Sequence, residues 1–270
     1  MAVRAREIAF LTDPAAGPEP GRAVARRLAD AGFGVRPAPA RDGDEAVDAA
    51  RAAVTEGVEA VVVAGDDALV HHALQAVAGT PVPLGIVPTA GPGEVARLLG
   101  LPRRDPVAAA DRVVASRTRT VDLGRAGTRW FAGALSAGLP AGGAPARPSV
   151  LRADPRPCTL DLDGVPRRTE AVAVVVANAA VRTAGWRTAD DARPDDGLLD
   201  VVVVRPVDRG RTAAAYARLV RGTAGDEVER HRAARVTVAV TGATAWADGV
   251  RVGPLPLTVE CVPRALTVLA

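Results

Sequence analysis

The chain has 270 residues, of which 48% are apolar, 24% charged and only 3% aromatic. Its formal charge is +3, with basic and acidic residues interspersed, so no basic stripe with interleaved aromatics marks a nucleic-acid surface. All 34 basic residues are arginine, which excludes a GK[ST] phosphate loop and any Schiff-base chemistry.

The length allows one large α/β domain or two smaller ones, with a core built mainly from Ala, Val and Leu. Cys158 and Cys261 are far apart and lack CxxC spacing, which argues against a metal site. Two cysteines fit a reducing cytoplasm and leave a single disulfide open. The first residues, MAVRAREIAFLTDP, hold too short an apolar run for a signal peptide, and no later stretch reaches transmembrane length. A soluble cytoplasmic protein is expected.

Taken in order, Ile8 to Leu11 reads as a strand ended by Asp13-Pro14, and Pro20 to Ala31 as a helix stopped at Gly32. Glu45 to Thr55 has helical spacing and runs through Gly57 into a Val58 to Ala64 strand. Leu84 to Val87 is a further buried strand. Short helices follow at Glu94 to Leu99 and Val107 to Ser116, then a strand around Thr120 to Leu123. This alternation of helices with valine-rich strands predicts a parallel sheet covered on both faces.

The pattern then changes. Trp130 to Leu135, Thr159 to Leu162, Ala171 to Ala177, Leu198 to Val204, Val236 to Val240 and Leu257 to Cys261 read as strands, with one clear helix at Thr212 to Arg221. A mostly antiparallel second domain is predicted. Between Gly138 and Pro157 lies a segment without periodicity, read as a mobile loop.

The stretch VVVAGDDALVHHAL, Val61 to Leu74, is where chemistry is expected. A buried strand, a glycine and a helix start make a phosphate-binding geometry, because first-turn N–H groups point at an anion. Ligands in parallel sheets also sit at the carboxyl ends of strands.

That stretch, continued to Pro102, resembles the diacylglycerol kinase catalytic-domain family in its bacterial lipid-kinase branch. TRTVDLGRAGTRWFAGALSAG, ARPDDGLLDVVVVRPV and TAWADGVRVGPLPLTVECVPRALTVLA continue the resemblance in the family's order. It implies an α/β plus all-β protein: an N-terminal NAD-kinase/diacylglycerol-kinase-like α/β domain and a C-terminal antiparallel β-sandwich, with the active site in the cleft between them. The implied boundaries are 1–124 and 125–262, with 263–270 returning to the first domain. The implied activity is ATP- and Mg²⁺-dependent phosphoryl transfer to a lipid alcohol such as diacylglycerol, a step of phospholipid metabolism. Transient contact with a membrane surface follows from such a substrate. The sequence leaves a homodimer open.

The family's first loop is GGDGT, and here it reads Gly65-Asp66-Asp67-Ala68-Leu69. Gly65 and Asp67 match; the other three do not. Ala68 resists positive φ at a cost of about 1–2 kcal/mol where a turn demands it. Leu69 removes a hydroxyl. Asp66 brings an anion toward phosphate, a repulsion of roughly 4 kcal/mol at 4 Å in an effective dielectric of 20, which a bridging Mg²⁺ would reverse. The second loop, GTGND, is matched by Ala90-Gly91-Pro92-Gly93-Glu94, where Pro92 has no N–H and Glu94 keeps a carboxylate. Asp122 matches an acidic residue near the nucleotide metal, or equally caps a turn. In Asp195-Asp196-Gly197-Leu198 the resemblance implies a structural Mg²⁺, held by the Asp196 side chain and main-chain oxygens of Arg193 and Leu198; a plain acidic turn is the alternative.

The family's DGE motif becomes Asp248-Gly249-Val250, so its proton-accepting Glu is absent. Asp248 is the candidate substitute base, with Asp67 organising the nucleotide metal. A hairpin turn explains Asp248 as well. The helices that shape the family's acceptor side are replaced by Gly138 to Pro157. His71, His72 and His231 are read as surface or capping residues. Three readings follow: a lipid kinase with weakened or lost activity, a pseudokinase serving as a binding or regulatory module, and another metal-dependent nucleotide or phosphate enzyme with Asp66 and Asp67 as ligands.

Overall fold

The computed structural model describes residues 6–12, 18–91, 93–140, 146–187 and 189–270. The chain divides into two units, one of Met1–Val121 with Arg264–Ala270 and one of Asp122–Pro263.

In the first unit the order is β1 (Arg6–Thr12), α1 (Pro18–Asp30), β2 (Phe33–Pro39), α2 (Gly43–Glu56), β3 (Ala60–Gly65), α3 (Asp67–Val77), β4 (Leu84–Pro88), α4 (Glu94–Leu98) and α5 (Pro106–Ala115). Strands run β2-β1-β3-β4, all parallel. Beside β4 lie Val268 and Leu269, paired in parallel with Leu84 and Gly85. β3 is buried along its whole length, as a strand covered on both faces must be. One layer of core joins Ile8, Phe10 and Val62 to Val24 and Leu28 of α1 and Ala110 and Val113 of α5. α2 begins at Asp42, whose side chain accepts from the Glu45 N–H, and ends on left-handed Gly57.

β2 went unread in the sequence. Its segment FGVRPAP holds two prolines, which a central strand excludes but an edge strand tolerates, and β2 is the sheet's edge.

The second unit holds most of β5 (Thr118–Ala126), then β6 (Arg129–Phe131), β7 (Ala134–Ala137), β8 (Arg156–Leu162), β9 (Val165–Ala171), β10 (Ala173–Ala177), β11 (Leu199–Val204), α6 (Thr212–Arg221), β12 (Val228–Ala233), β13 (Arg235–Val240), β14 (Thr244–Ala247), β15 (Val250–Pro254) and the first part of β16 (Leu257–Leu269). One sheet is antiparallel in the order β12-β11-β10-β7-β14-β15. β16, β13, β8 and β9 form the facing layer, and the core between includes Leu135, Leu160, Val174, Val201, Val236 and Val259. The other face of the six-stranded sheet is also covered. There Val175, Val202 and Val204 pack with Leu151, Trp186, Ala215 and Leu219.

Four readings need correction. The expected single strand Trp130 to Leu135 is two, β6 paired with β5 and β7 lying in the other sheet. The Gly138 to Pro157 segment is not structureless where it is described. A short 3-10 turn, Pro148–Arg152, buries Leu151 fully, and the Leu151 carbonyl accepts from the Val207 N–H; residues 141–145 lie outside the described residues. The charged run around His231 is strand β12, with His231 Nε2 2.8 Å from Glu229 Oε1. His71 is buried within α3, not on the surface.

Candidate functional site

The end of β3 delivers Gly65 to the start of α3. A Cβ built on Gly65 would lie 2.6 Å from Leu69 Cδ2, so the leucine fills the space that glycine leaves. Asp66 is the N-cap of α3, and its Oδ1 accepts from the Leu69 N–H at 2.9 Å. Ala68 sits in helical backbone, so the feared positive-φ strain does not arise. What the turn does instead is place a carboxylate on the helix end where an anion would bind.

Asp67 points to the second loop. Its Oδ2 accepts from the Glu94 N–H and its Oδ1 from the Val95 N–H, both at 2.9 Å. The reason is local: the N-cap of α4 is Gly93, left-handed and without a side chain to cap with, so Asp67 supplies the oxygen atoms. Gly91 completes the junction, since a Cβ there would stand 3.4 Å from Asp66 Cβ. Pro92 lies outside the described residues. The Glu94 carboxylate turns away to Arg97 at 2.9 Å and Arg103 at 3.8 Å. Thus Gly65, Asp66, Asp67, Ala68, Leu69, Gly91 and Glu94 are brought together in the first unit.

In the second unit Asp122 is buried on β5. Its N–H donates to the Pro194 carbonyl at 2.7 Å and its Oδ2 accepts from the Gly197 N–H at 2.8 Å. The loop from Arg193 to Leu198 is therefore folded onto Asp122. Asp196 Oδ1 accepts from the Leu198 N–H at 3.1 Å, and its Oδ2 bonds Arg232. Cys261 stands 4.0 Å from Asp122 Oδ2; burial and then the Asp122 and Asp196 charges push its thiol up to about 12. Burial, and then the charge of Glu229, push the Cys158 thiol up to about 11. Both cysteines are free.

Asp248 caps a different loop. Its Oδ2 accepts from Ala132 N–H at 2.8 Å, and its Oδ1 from Gly133 and Ala134 N–H at 3.0 Å each. The residue turns the β14–β15 hairpin with Gly249, both at positive φ, as two-residue hairpin turns require. Its carboxylate binds the residues between β6 and β7 and the first residue of β7.

Asn178 was missed in the sequence. It is fully buried, and its Nδ2 donates to the Asp122 carbonyl at 2.9 Å and the Ala132 carbonyl at 3.0 Å. It thereby ties the Asp122 strand to the loop that Asp248 holds. The signal available was one amide closing the apolar run AVVVA, at the strand end where polar groups in such sheets gather.

Asp67, Asp122 and Asp248 thus each accept backbone N–H groups, and Asp66 does so too. Among the described residues no group of three His, Cys, Asp or Glu side chains is placed to hold a metal. A magnesium nucleotide would meet, at the first loop, a carboxylate already hydrogen-bonded to the helix N–H it needs. These residues fit it poorly.

Two family models cover the chain. Residues 7–126 match the diacylglycerol kinase catalytic domain, and residues 108–270 match the YegS C-terminal NAD kinase beta sandwich-like domain. The chain belongs to the diacylglycerol kinase catalytic-domain family. A diacylglycerol kinase of Mycobacterium tuberculosis is 34% identical over 243 residues, 81% of this chain and 79% of that one. A lipid kinase YegS-like protein of Xanthomonas axonopodis pv. citri is 29% identical over 256 residues, 79% of each. Among solved structures, a diacylglycerol kinase from Bacillus anthracis matches with a TM-score of 0.78 at 18% identity, over 99% of this chain and 97% of that one. The α/β unit and antiparallel sheet are therefore those of diacylglycerol kinase relatives. No helix among the described residues is long and apolar enough to cross a membrane.

Proposed function

We propose that this diacylglycerol-kinase-family chain has weakened or lost phosphoryl transfer, and serves as a binding or regulatory module built on the lipid-kinase fold. The observation that carries the reading is the double self-capping of the first unit. Asp66 takes the Leu69 N–H, and Asp67 takes those of Glu94 and Val95. The N–H groups that a phosphate chain would use are bonded to carboxylates of the chain itself, and those carboxylates repel phosphate.

The second unit supports the same reading. A general base must be able to receive a proton from the acceptor hydroxyl. The Asp248 carboxylate accepts three backbone N–H bonds, which fix its direction and occupy both of its oxygens. It is an anchor for residues 132–134, and Val250 has no proton-accepting group.

Diacylglycerol or a related lipid alcohol is the first ligand to test, because the named relatives are lipid kinases. The full chain is heated with ATP, with Mg²⁺ and with both, and assayed for transfer of labelled phosphate to diacylglycerol in anionic vesicles. No ATP-dependent rise in Tm and no labelled lipid are expected. A ligand at a hundredfold its Kd stabilises by about 2.7 kcal/mol, so binding would be visible. A rise requiring ATP and Mg²⁺ together, with label in the lipid, overturns the proposal. Binding of diacylglycerol vesicles without transfer supports it.

A further inference from the structure

The segment from Asp191 to Asp200 carries Asp191, Asp195, Asp196 and Asp200. Like charges so close require a counter-charge when one of them is buried. Two chemistries supply one. A divalent cation can bridge a carboxylate and main-chain oxygens, which is what resemblance implied for Asp196, Arg193 and Leu198. Alternatively, a cationic side chain can occupy that position.

The residues present favour the second. β11 and β12 pair so that Asp200 stands directly opposite Arg232, and paired side chains share one face of the sheet. Arg232 Nη2 bonds Asp196 Oδ2, and Arg232 Nε lies 3.6 Å from Asp200 Oδ1. The other Asp196 oxygen is taken by the Leu198 N–H. Asp196 then has one oxygen on an amide and the other on a guanidinium, so a metal binding Oδ2 would have to compete with Arg232. Asp200 shows how tight the balance is. Its Oδ2 is buried without a hydrogen-bond partner, so Arg232 Nε, 3.6 Å from its Oδ1, is the cation set against it.

We infer that the Arg232 guanidinium replaces a divalent cation at this loop, bridging Asp196 and Asp200 so that residues 193–200 are held without metal. The planar guanidinium donates in more than one direction at once, which lets a single side chain span two carboxylates. The inference does not depend on whether the chain transfers phosphate.

The test is thermal unfolding of the full chain, without nucleotide, in millimolar EDTA and in millimolar Mg²⁺. The wild type is expected to melt at the same temperature in both. Arg232→Gln is expected to melt lower in EDTA and to recover in Mg²⁺, by roughly 5 °C at a hundredfold Kd. Adding Asp196→Asn to Arg232→Gln should abolish the recovery, which locates the ion. A wild-type Tm that falls in EDTA, or an Arg232→Gln protein indifferent to Mg²⁺, overturns the inference. Where Arg232→Gln does not fold, Arg232→Lys serves. Its single ammonium cannot span both carboxylates as well, so partial Mg²⁺ dependence is expected and complete indifference with a lowered Tm counts against the bridge.

Discussion

Asp66 Oδ1 lies 2.9 Å from the Leu69 amide nitrogen, so the residue that departs most from a phosphate cradle is also the cap that starts helix α3. Charge and cap can be separated by substitution. Asp66→Ala should cost about 1 kcal/mol, read as a fall in Tm. Asp66→Ser keeps a capping oxygen and removes the charge. It should hold Tm near wild type and, because the Ser Oγ takes the same Leu69 N–H while Asp67 still takes those of Glu94 and Val95, it should bring no ATP-dependent stabilisation.

Asp67 binds a helix 27 residues away in sequence through the N–H groups of Glu94 and Val95. Asp67→Ala should therefore free α4 from its cap, with loss of roughly 1–2 kcal/mol and faster hydrogen exchange at Glu94 and Val95. Asp67→Asn retains one acceptor oxygen and should fall between. Unchanged exchange at both amides would refute the capping role.

Asp248→Ala strands three N–H groups on the buried residues Ala132, Gly133 and Ala134. At about 1–3 kcal/mol for each unpaired buried donor, the loss should reach roughly 3 kcal/mol or more. Asp248→Asn should be milder. Stability, measured by denaturant midpoint, is the quantity that should respond, since an anchor acts on the fold.

Glu227 is buried between Arg218 and the Gly225 N–H. Burial raises its carboxyl, but the Arg218 and backbone hydrogen bonds outweigh it and hold the group down at about 2. A folded value below the unfolded one means stability present above about pH 4.5 and lost as pH falls toward 2, in all about 3 kcal/mol. Arg218→Met should shrink that acid dependence, leaving only what the backbone hydrogen bonds supply against burial, and cost roughly 3–5 kcal/mol at neutral pH by removing the buried carboxylate's counter-charge.

The apolar strands were legible because valine runs such as AVVVAG and LDVVVV have few alternatives once buried on both faces. Helices with side-chain caps were legible too, α2 and α5 to within two residues at either end. β9 and β12 were not. VPRRTEA and VERHRA are polar strands at sheet edges, held by pairing to β8 and β11 rather than by burial of a face. The same limit applied to the site. Sequence matching picked out Asp67, Asp122 and Asp248, yet gave no sign that each accepts main-chain N–H groups from other segments. Asp67 reaches Glu94, Asp122 reaches Gly197 and Asp248 reaches Ala132. Such pairings depend on which loops the fold brings to one place, and no local pattern records that.

β16 begins in the second unit, and its final residues lie in the first, where Val268 and Leu269 pair with Leu84 and Gly85 and Leu269 joins the core with Ile8 and Val62. Synthesis runs from the N-terminus, and domains ordinarily fold in that order as they emerge. This one cannot finish in sequence. The edge of β4 stays bare on the ribosome until some 180 later residues have been made, so the nascent first unit is an exposed-edge species for most of its synthesis. The last strand of the chain is thus what closes the first unit's sheet, so the chain order makes that unit's completion the final step of synthesis.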